Sequence, residues 1–420
     1  MNRVSKNGAG INARRQRMME AMAADPAREA RLAAIQTLIS VGLERVEEEL
    51  KTELKLLTGK RYARGKEMGP WGTNWGSVYL ADQKVSVRVP RVREKRTNVE
   101  VPLMSYARLQ DPGVIEEAAL NRVISGISAR NYREAVISVP ETFGIKHASV
   151  SRKWVRASAK KLKELMDRRL DGYDIVAVII DGKSFGENGI ITALGVTLEG
   201  EKVILGFVEA GTENYAVCRD FLNELIRRGL RTENEVLFIM DGGKGVRKAV
   251  GDVFGDKVLV QRCQWHKREN VLEYLNPGQR PLWRKKLQEA YEQNTYLEAK
   301  VRLESLKKEL WFVNLSAVKS LEEGFEETLT LHRLGMFEKL GTSFKTTNCI
   351  ENLHRLLGIR TDRVCRWRNS DHRQRWVAAA LTKIEPNLRK VKGHRHLPEL
   401  RTAMREFVRG KMRDEMKEAA

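Results

Sequence analysis

Cysteine is scarce in this sequence, with four among 420 residues at Cys218, Cys263, Cys349 and Cys365. So few, so irregularly spaced, exclude a disulfide framework and point to a reducing compartment. Long apolar runs are missing as well. The longest, Ile175–Ile180, is strand-length, whereas a bilayer-spanning helix needs roughly 20 apolar residues. The N-terminal stretch lacks the apolar centre of a secretory leader, so a cytoplasmic location is expected. Acidic residues are in deficit: 55 Asp and Glu stand against 76 Lys and Arg, a formal charge of +21. Such a surplus favours a polyanionic partner, most often nucleic acid, with a merely well-solvated basic surface as the plain alternative. What is present suffices for a sizeable core, since 42% of the residues are hydrophobic. The length suggests roughly two to four domains.

The surplus is not spread evenly. Residues 51–170 hold 25 basic and 12 acidic side chains, and residues 345–420 hold 19 and 9. The rest is close to neutral. Two basic flanks around a neutral middle suggest DNA-contacting regions on either side of a catalytic or structural core.

Residues 1–60 read as a basic arm followed by an amphipathic helix. Leu43, Val46, Leu50, Leu54 and Leu57 recur at helical spacing, and Gly59 marks the stop. This stripe fits either a dimerisation seam or a core-facing helix. Residues 61–110 form a small basic β-unit, in which Trp71, Trp75, Val78 and Tyr79 precede the alternating run Val85–Arg93. Residues 111–172 return to helical patterning. The segment Val139–Leu162 fits a helix-turn-helix turning at Gly144, with Val150, Trp154 and Val155 inward. His147, Ser149, Ser151, Arg152, Lys153 and Arg156 would then face the major groove. An ordinary helical hairpin is the alternative.

From residue 173 the order of elements is distinctive. Strands are expected over 175–180, 189–197, 202–210, 235–240 and 257–263, with helices over 212–230 and 244–254. This β-β-β-α-β-α-β order predicts an α/β fold with a mixed five-stranded sheet. Asp181 ends the first strand and Asp241 the fourth. A helical stretch over 267–344 follows, rich in Leu, Glu and Lys, with Trp283 and Trp311 as anchors. Residues 345–385 carry a helix bearing Glu351, and 386–420 form a basic tail, punctuated up to Pro398 and helical after it.

Taken singly, the acids have bland explanations. Asp181-Gly182 and Asp241-Gly242-Gly243 are turn sequences, and Glu351 follows Thr347 and Asn348 where a glutamate closes a capping arrangement. Together they read differently. The first and fourth strands would be neighbours, so Asp181 and Asp241 would share one end of the sheet, and a helix packed across it would bring Glu351. Three converging carboxylates repel one another unless a divalent cation intervenes, and hard oxygens select Mg2+ or Mn2+. Two such ions roughly 4 Å apart suit displacement at phosphorus.

The segments IIDGKSFGENG (179–189), LFIMDGGKGVRKAV (237–250), CQWH (263–266) and TTNCIENLHR (346–355) resemble the DDE transposases of bacterial insertion sequences related to plant Mutator elements. The resemblance runs over about 110–385, with the four motifs in order. It implies an RNase H-like catalytic core interrupted by an all-helical insertion between the second Asp and the Glu. It also implies Asp181, Asp241 and Glu351 as the metal-binding triad, two Mg2+ or Mn2+ ions, and a nucleoid-associated bacterial protein. The Cys263/His266 pair matches the family's C-x2-H motif.

Around the triad, His266 would orient a phosphate or a carboxylate, while Cys263 packs as a small buried group. A zinc site would need two further ligands, Cys349 and His354 being the candidates. Trp265 is read as core, with stacking on a distorted base as the other option. Lys183, Lys244, Lys345 and Arg355 would hold phosphates near the acids. The run Arg360, Arg363, Arg366, Arg368, Arg373 and Arg375, broken by Trp367 and Trp376, would track a DNA backbone.

The expected function is therefore that of a transposase. It would bind terminal inverted repeats of double-stranded DNA, cleave at the element ends and transfer the freed strand to target DNA. Handling two ends calls for at least a dimer. A structure-specific RNase H-like nuclease or resolvase, and a transposase-derived DNA-binding protein without catalysis, are the alternatives.

Overall fold

The computed structural model describes residues 26–59, 67–80, 83–110, 147–185, 188–211, 214–231, 235–255, 258–362, 364 and 366–418, with isolated positions between 120 and 124. Side chains are described from residue 42 onward, except at 83, 147–150, 188 and 411–418. The chain divides into two compact units, Met1–Ser158 and Ala159–Ala420.

In the first unit, helix α1 spans Pro26–Thr58. It stops where Gly59, at φ +76°, turns its N–H back to the Lys55 carbonyl at 2.8 Å. An antiparallel sheet follows, in the order β1 (Met68–Leu80), β2 (Gln83–Glu94), β3 (Glu100–Val101). Helix α2 covers Met104–Leu109, its first amides accepted by the Glu53 carboxylate at 2.7 and 3.0 Å. Val78, Val87, Val89 and Val92 pack with Val46 and Leu50 of α1, Val87 and Val89 sharing their face by period-two alternation. The expected leucine stripe of α1 is thus at least partly spent on this sheet.

Helix α3 spans His147–Met166. It covers the second helix of the expected helix-turn-helix. The first helix and turn lie outside the described residues, as do the side chains of His147, Ser149 and Val150. Trp154 is buried as anticipated, but Val155 is exposed. A helical step of 100° from an inward Trp154 carries its neighbour away from the core.

The second unit is built on a five-stranded mixed sheet in the order β6-β5-β4-β7-β8, with β4 at Ile175–Phe185, β5 at Asn188–Thr197, β6 at Lys202–Ala210, β7 at Leu237–Met240 and β8 at Leu259–Arg262. β4, β5 and β6 are antiparallel; β4, β7 and β8 run parallel. The expected strands are all there, with one difference. β4 does not end at Asp181 but continues to Phe185, because Asp181 to Phe185 keep pairing with Thr192 to Asn188 of β5. Only the parallel pairing with β7 stops at Ile180 opposite Met240.

Both faces of this sheet are covered, which is why β4 reads as an unbroken apolar run. Helices α4 (Tyr215–Arg227) and α5 (Lys244–Phe254) cover one face through Phe221, Leu222, Leu225, Val246 and Val250. After β8 come α6 (Gln264–Glu273), α7 (Arg280–Tyr291), α8 (Tyr296–Trp311), α9 (Leu315–Glu322), α10 (Phe325–Thr328), α11 (Thr330–Arg333) and α12 (Phe337–Phe344). The other face of the sheet is covered by α13 (Asn348–Thr361), α14 (Ser370–Ile384) and α15 (Leu397–Glu418).

The expected tail is therefore not a tail. Leu397, Leu400, Met404 and Val408 recur at three- and four-residue steps and join the main core, while Arg401 meets Asp174 at 2.7 Å and the Ile175 carbonyl at 3.1 Å. Its basic residues disguised an apolar stripe.

The helices between β8 and α12 enclose a core of their own, with Leu272, Trp283, Leu287, Leu303, Leu306, Leu310 and Leu321 at its centre. Trp283 is an anchor, as expected. Trp311 is not: it is exposed, beside Phe312, which is 89% exposed. In α8 the inward stripe is Leu303, Leu306 and Leu310, and Trp311 falls one residue off it.

His332 joins this segment to the core. Its Nε2 lies 3.1 Å from the Tyr291 carbonyl and 3.0 Å from that of Gln293, so Nε2 carries the proton and donates. The ring stacks on Phe337 at 3.7 Å, and Nδ1 is buried without a partner. Burial pushes its pKa down to about 4, against the two carbonyls and Glu292, which favour the charged form. Below about pH 6.5 the unfolded chain takes a proton that the folded chain refuses until about pH 4. Stability should then fall, as pH drops through that window, by about 1.4 kcal/mol per unit from this group. Urea midpoints at pH 7.0, 6.0 and 5.0 test this, with His332→Gln expected to flatten the slope.

Candidate active site

Asp181 and Asp241 directly follow Ile180 and Met240, the last residues paired between the parallel strands β4 and β7. Asp241 then turns sharply, its Oδ1 accepting the Gly243 amide at 2.9 Å. Gly242 is held at φ +99°, a conformation that favours glycine.

Helix α13 brings the third acid. Its start is ordered by Thr347, which is fully buried. The Thr347 hydroxyl is 2.8 Å from Glu351 Oε1, 3.3 Å from His266 Nδ1 and 3.6 Å from Cys263 Sγ. Its single proton belongs to the carboxylate, the shortest and charged partner. The hydroxyl oxygen is then open to an N–H from His266. Burial opposes a charge on His266, but the Cys263 sulfur and the fields of Asp241 and Asp181 outweigh it and lift its pKa to about 9. The result is a chain from imidazolium through hydroxyl to carboxylate. The capping explanation of Glu351 holds only in part, since it engages the Thr347 side chain.

His354 sits one helical turn beyond Glu351, with Nδ1 3.4 Å from Asp181 Oδ2 and Nε2 buried without a partner. Lys183 crosses from β4 to the His354 carbonyl at 2.8 Å. Gly358 leaves it room, since a Cβ there would stand 3.0 Å from the Lys183 amine. The helix is thus fastened to β4 beside Asp181.

A second fastening holds the Asp241 turn. The buried guanidinium of Arg262 donates to the Gly242 carbonyl at 2.9 Å and to the Glu323 carbonyl at 3.0 Å. Two glycines make its berth. A Cβ on Gly242 would lie 1.9 Å from Arg262 Nε, and one on Gly324 (φ +65°) 2.2 Å from an Arg262 amine. Lys267 lies alongside, wholly buried, donating to the Ser320 carbonyl at 2.6 Å. Burial and the neighbouring Arg262 lower its pKa to about 8.

Among the described residues no lysine or arginine forms an ion pair with Asp181, Asp241 or Glu351, and no three His, Cys, Asp or Glu side chains are grouped so as to hold a metal ion. Asp181 and Asp241 fit a hard cation by donor chemistry and by their unneutralised charge. Glu351 is turned to Thr347. The same grouping gives no support to a zinc site from Cys263, His266, Cys349 and His354: Cys263 is buried, and Cys349 Sγ contacts the Ser343 carbonyl at 3.6 Å. Trp265, expected in the core, is half exposed, with its ring edge-on to His266 at 4.8 Å.

The residues expected to hold phosphates lie in varied settings. Lys244 opens α5 and is exposed, and Arg355, Arg366 and Arg368 are exposed. Arg360 is half-buried, and Arg363 lies outside the described residues. Lys183 is engaged as above, and Lys345 pairs with Glu292 at 2.5 Å. Arg373 and Arg375 pair with Glu209 and Asp371 at 2.5 and 2.9 Å, and Trp367 packs on Phe185, so this part of the arginine run secures α14. On α3, Arg152 and Arg156 are exposed and Ser151 and Lys153 half-buried. Arg262, Lys267, the His266 contact of Thr347 and the Asp181 contact of His354 were not anticipated, whereas the four-residue spacing of Thr347 and Glu351 was.

The site defines a class before any relative is considered: an α/β protein with unneutralised carboxylates on neighbouring strands. The sequence matches the family described as "Transposase, Mutator family" over residues 16–390, and the chain belongs to that family. It is 25% identical over 330 residues to the transposase for insertion sequence element ISRM5 of Rhizobium meliloti (strain 1021), covering 76% of this chain and 79% of that one. It is also 25% identical over 315 residues to the transposase for insertion sequence element IS256 in transposon Tn4001 of Staphylococcus aureus, covering 71% and 76%. Against the transposase for insertion sequence element IS905 of Lactococcus lactis subsp. lactis (strain IL1403), identity is 22% over 313 residues, covering 73% and 75%. Membership of a transposase family implies DNA as the partner. Among the described residues no helix is long and apolar enough to cross a membrane.

Proposed function

We propose that this chain is the transposase of an insertion sequence, that it binds the terminal inverted repeats, and that it cleaves and joins DNA strands at Asp181, Asp241 and Glu351. The observation that carries the reading is the pair of unneutralised aspartates at the end of the β4–β7 parallel pairing, in a chain of the Mutator family. The strand order β6-β5-β4-β7-β8, antiparallel then parallel, supports an RNase H-like core, with residues 267–344 as a helical insertion before Glu351.

Asp181 and Asp241 would hold Mg2+ or Mn2+, joined by Glu351 once it exchanges its Thr347 hydroxyl. Two bound ions would supply activation of an oxygen nucleophile and charge neutralisation at the leaving oxygen. The chain's own residues do the rest. Among the described residues the two aspartates meet no lysine or arginine, Lys183 and Arg262 being committed to backbone carbonyls; Asp241 accepts only the Gly243 amide and Asp181 faces His354. His266, cationic at neutral pH, offers a positive charge beside them for a phosphate. Exposed Lys244 and Arg355 lie close in sequence to Asp241 and Glu351, placed to receive flanking phosphates. No covalent enzyme intermediate is needed, so positioning and charge account for the chemistry. Because two element ends are joined to one target, at least a homodimer would be the working form.

The test uses the full chain, a plasmid carrying terminal inverted repeats, and a target plasmid. With Mg2+, free 3′-hydroxyl ends and strand-transfer products are expected, and EDTA should abolish both. Cleavage without strand transfer would favour a nuclease. Equal product in EDTA would remove the metal-dependent reading.

A further inference from the structure

The outward face of the β1–β2 hairpin carries a row of aromatic rings against cations. Arg88 lies over Trp75 at 4.9 Å, Arg93 over Trp71 at 4.7 Å and Lys84 over Tyr79 at 5.8 Å. Lys153, from α3 in the same unit, approaches the Tyr79 ring at 5.5 Å. The register explains the row. Trp75 pairs across the hairpin with Arg88 and Tyr79 with Lys84, while the valines between them point to the opposite face and into the core. A bulge between Pro70 and Thr73 keeps Trp71 beside Arg93.

Large rings grouped on one exposed face, rather than scattered singly, mark an interaction surface. Here Trp75 is 71% exposed and Trp71 53%. Neither Met68–Leu80 nor Lys84–Arg93 contains an acidic residue. A second copy presenting the same face would bring like charges together, so the face suits a polyanion. Phosphates alone would use the cations and leave the rings idle. A polyanion with open π-faces uses both, and unpaired bases supply them. From Trp71 to Tyr79 the platform runs roughly 25 Å at strand rise, enough for a short single strand.

We propose that this hairpin face binds single-stranded DNA without sequence preference, bases stacking on Trp71 and Trp75 and phosphates meeting Arg88, Arg93 and Lys84. That the strand is DNA rests on the transposase reading; the binding surface itself does not.

The experiment measures the full chain against a fluorescein-labelled oligo-dT and, separately, a duplex inverted repeat, by anisotropy. The double variant Trp71→Ala/Trp75→Ala should weaken oligo-dT binding roughly 10- to 100-fold and duplex binding less than about twofold. Trp71→Phe/Trp75→Phe, which keeps flat rings and fills the same surface, should restore most of the loss. Unchanged oligo-dT affinity in the alanine variant would overturn the proposal. So would a parallel loss of duplex binding, which would mean a ribbon docked on duplex DNA, or a phenylalanine variant no better than alanine. Should the wild-type chain cleave no element ends, the oligo-dT comparison still decides this surface.

Discussion

Asp181→Asn is expected to remove end cleavage by roughly 1,000-fold or more while leaving the protein as stable as before. On the proposed mechanism the site would lose an anionic ligand of the divalent cation that neutralises charge in the transition state, worth about 4 kcal/mol or more in the barrier. Folding loses little, because among the described residues Asp181 has no lysine or arginine partner, touches His354 at 3.4 Å and is the smallest of the influences that raise the His266 pKa. Removing one of two neighbouring acids also relieves repulsion, so the melting temperature should stay within about 2 °C or rise. The measurements are a cleavage time course and a thermal melt on the same preparation. A variant that melts early would mark Asp181 as structural, and a variant that still cleaves would remove it from the site.

Gly242→Ala should do the opposite, unfolding the site as well as silencing it. At φ +99° an alanine is strained, and its Cβ would collide with Arg262 Nε. The guanidinium has nowhere to go, since Gly324 closes the far side of its berth. Displacing it leaves the Gly242 and Glu323 carbonyls without donors. Left-handed strain costs about 1–2 kcal/mol and each unmade buried bond about 1–3 kcal/mol, so a loss of roughly 3–5 kcal/mol is expected. Urea denaturation measures it. The double variant Gly242→Ala/Arg262→Ala should be destabilised by less than the sum of the two single changes, because the collision is gone. Simple additivity would show that the berth does not couple the two residues. Loss of cleavage should accompany the single change, since Asp241 is the residue immediately before it.

The two variants separate different kinds of information. The neighbouring positions of Asp181 and Asp241 on adjacent strands, and the helix that carries Glu351, were legible from the order of elements, because apolar runs and the residues that follow them recur at fixed places. Arg262 was not legible. It reads as one more basic residue in a basic chain, and its partners are carbonyls 20 and 61 residues away. Lys267 was hidden in the same way; of Thr347 the spacing showed the Glu351 partner but not His266, which comes from another helix. The errors have a common origin too. Val155 and Trp311 each stand one residue off an apolar stripe, and at 100° per residue that is enough to turn a side chain outward. The basic character of 386–420 concealed Leu397, Leu400, Met404 and Val408, whose spacing fits a core helix.

By itself the sequence determined the α/β class, the five strands of the sheet, the basic flanks and the family, since periodicity, charge and motif order are properties of the chain as written. Only the tertiary structure decided which cations are available. Lys183, Lys345, Arg262 and Arg373 are committed to carbonyls and carboxylates distant in sequence, while Trp71 and Trp75 stand open beneath Arg93 and Arg88. A positive charge can be counted along the chain, but whether it is already spent depends on what folds against it.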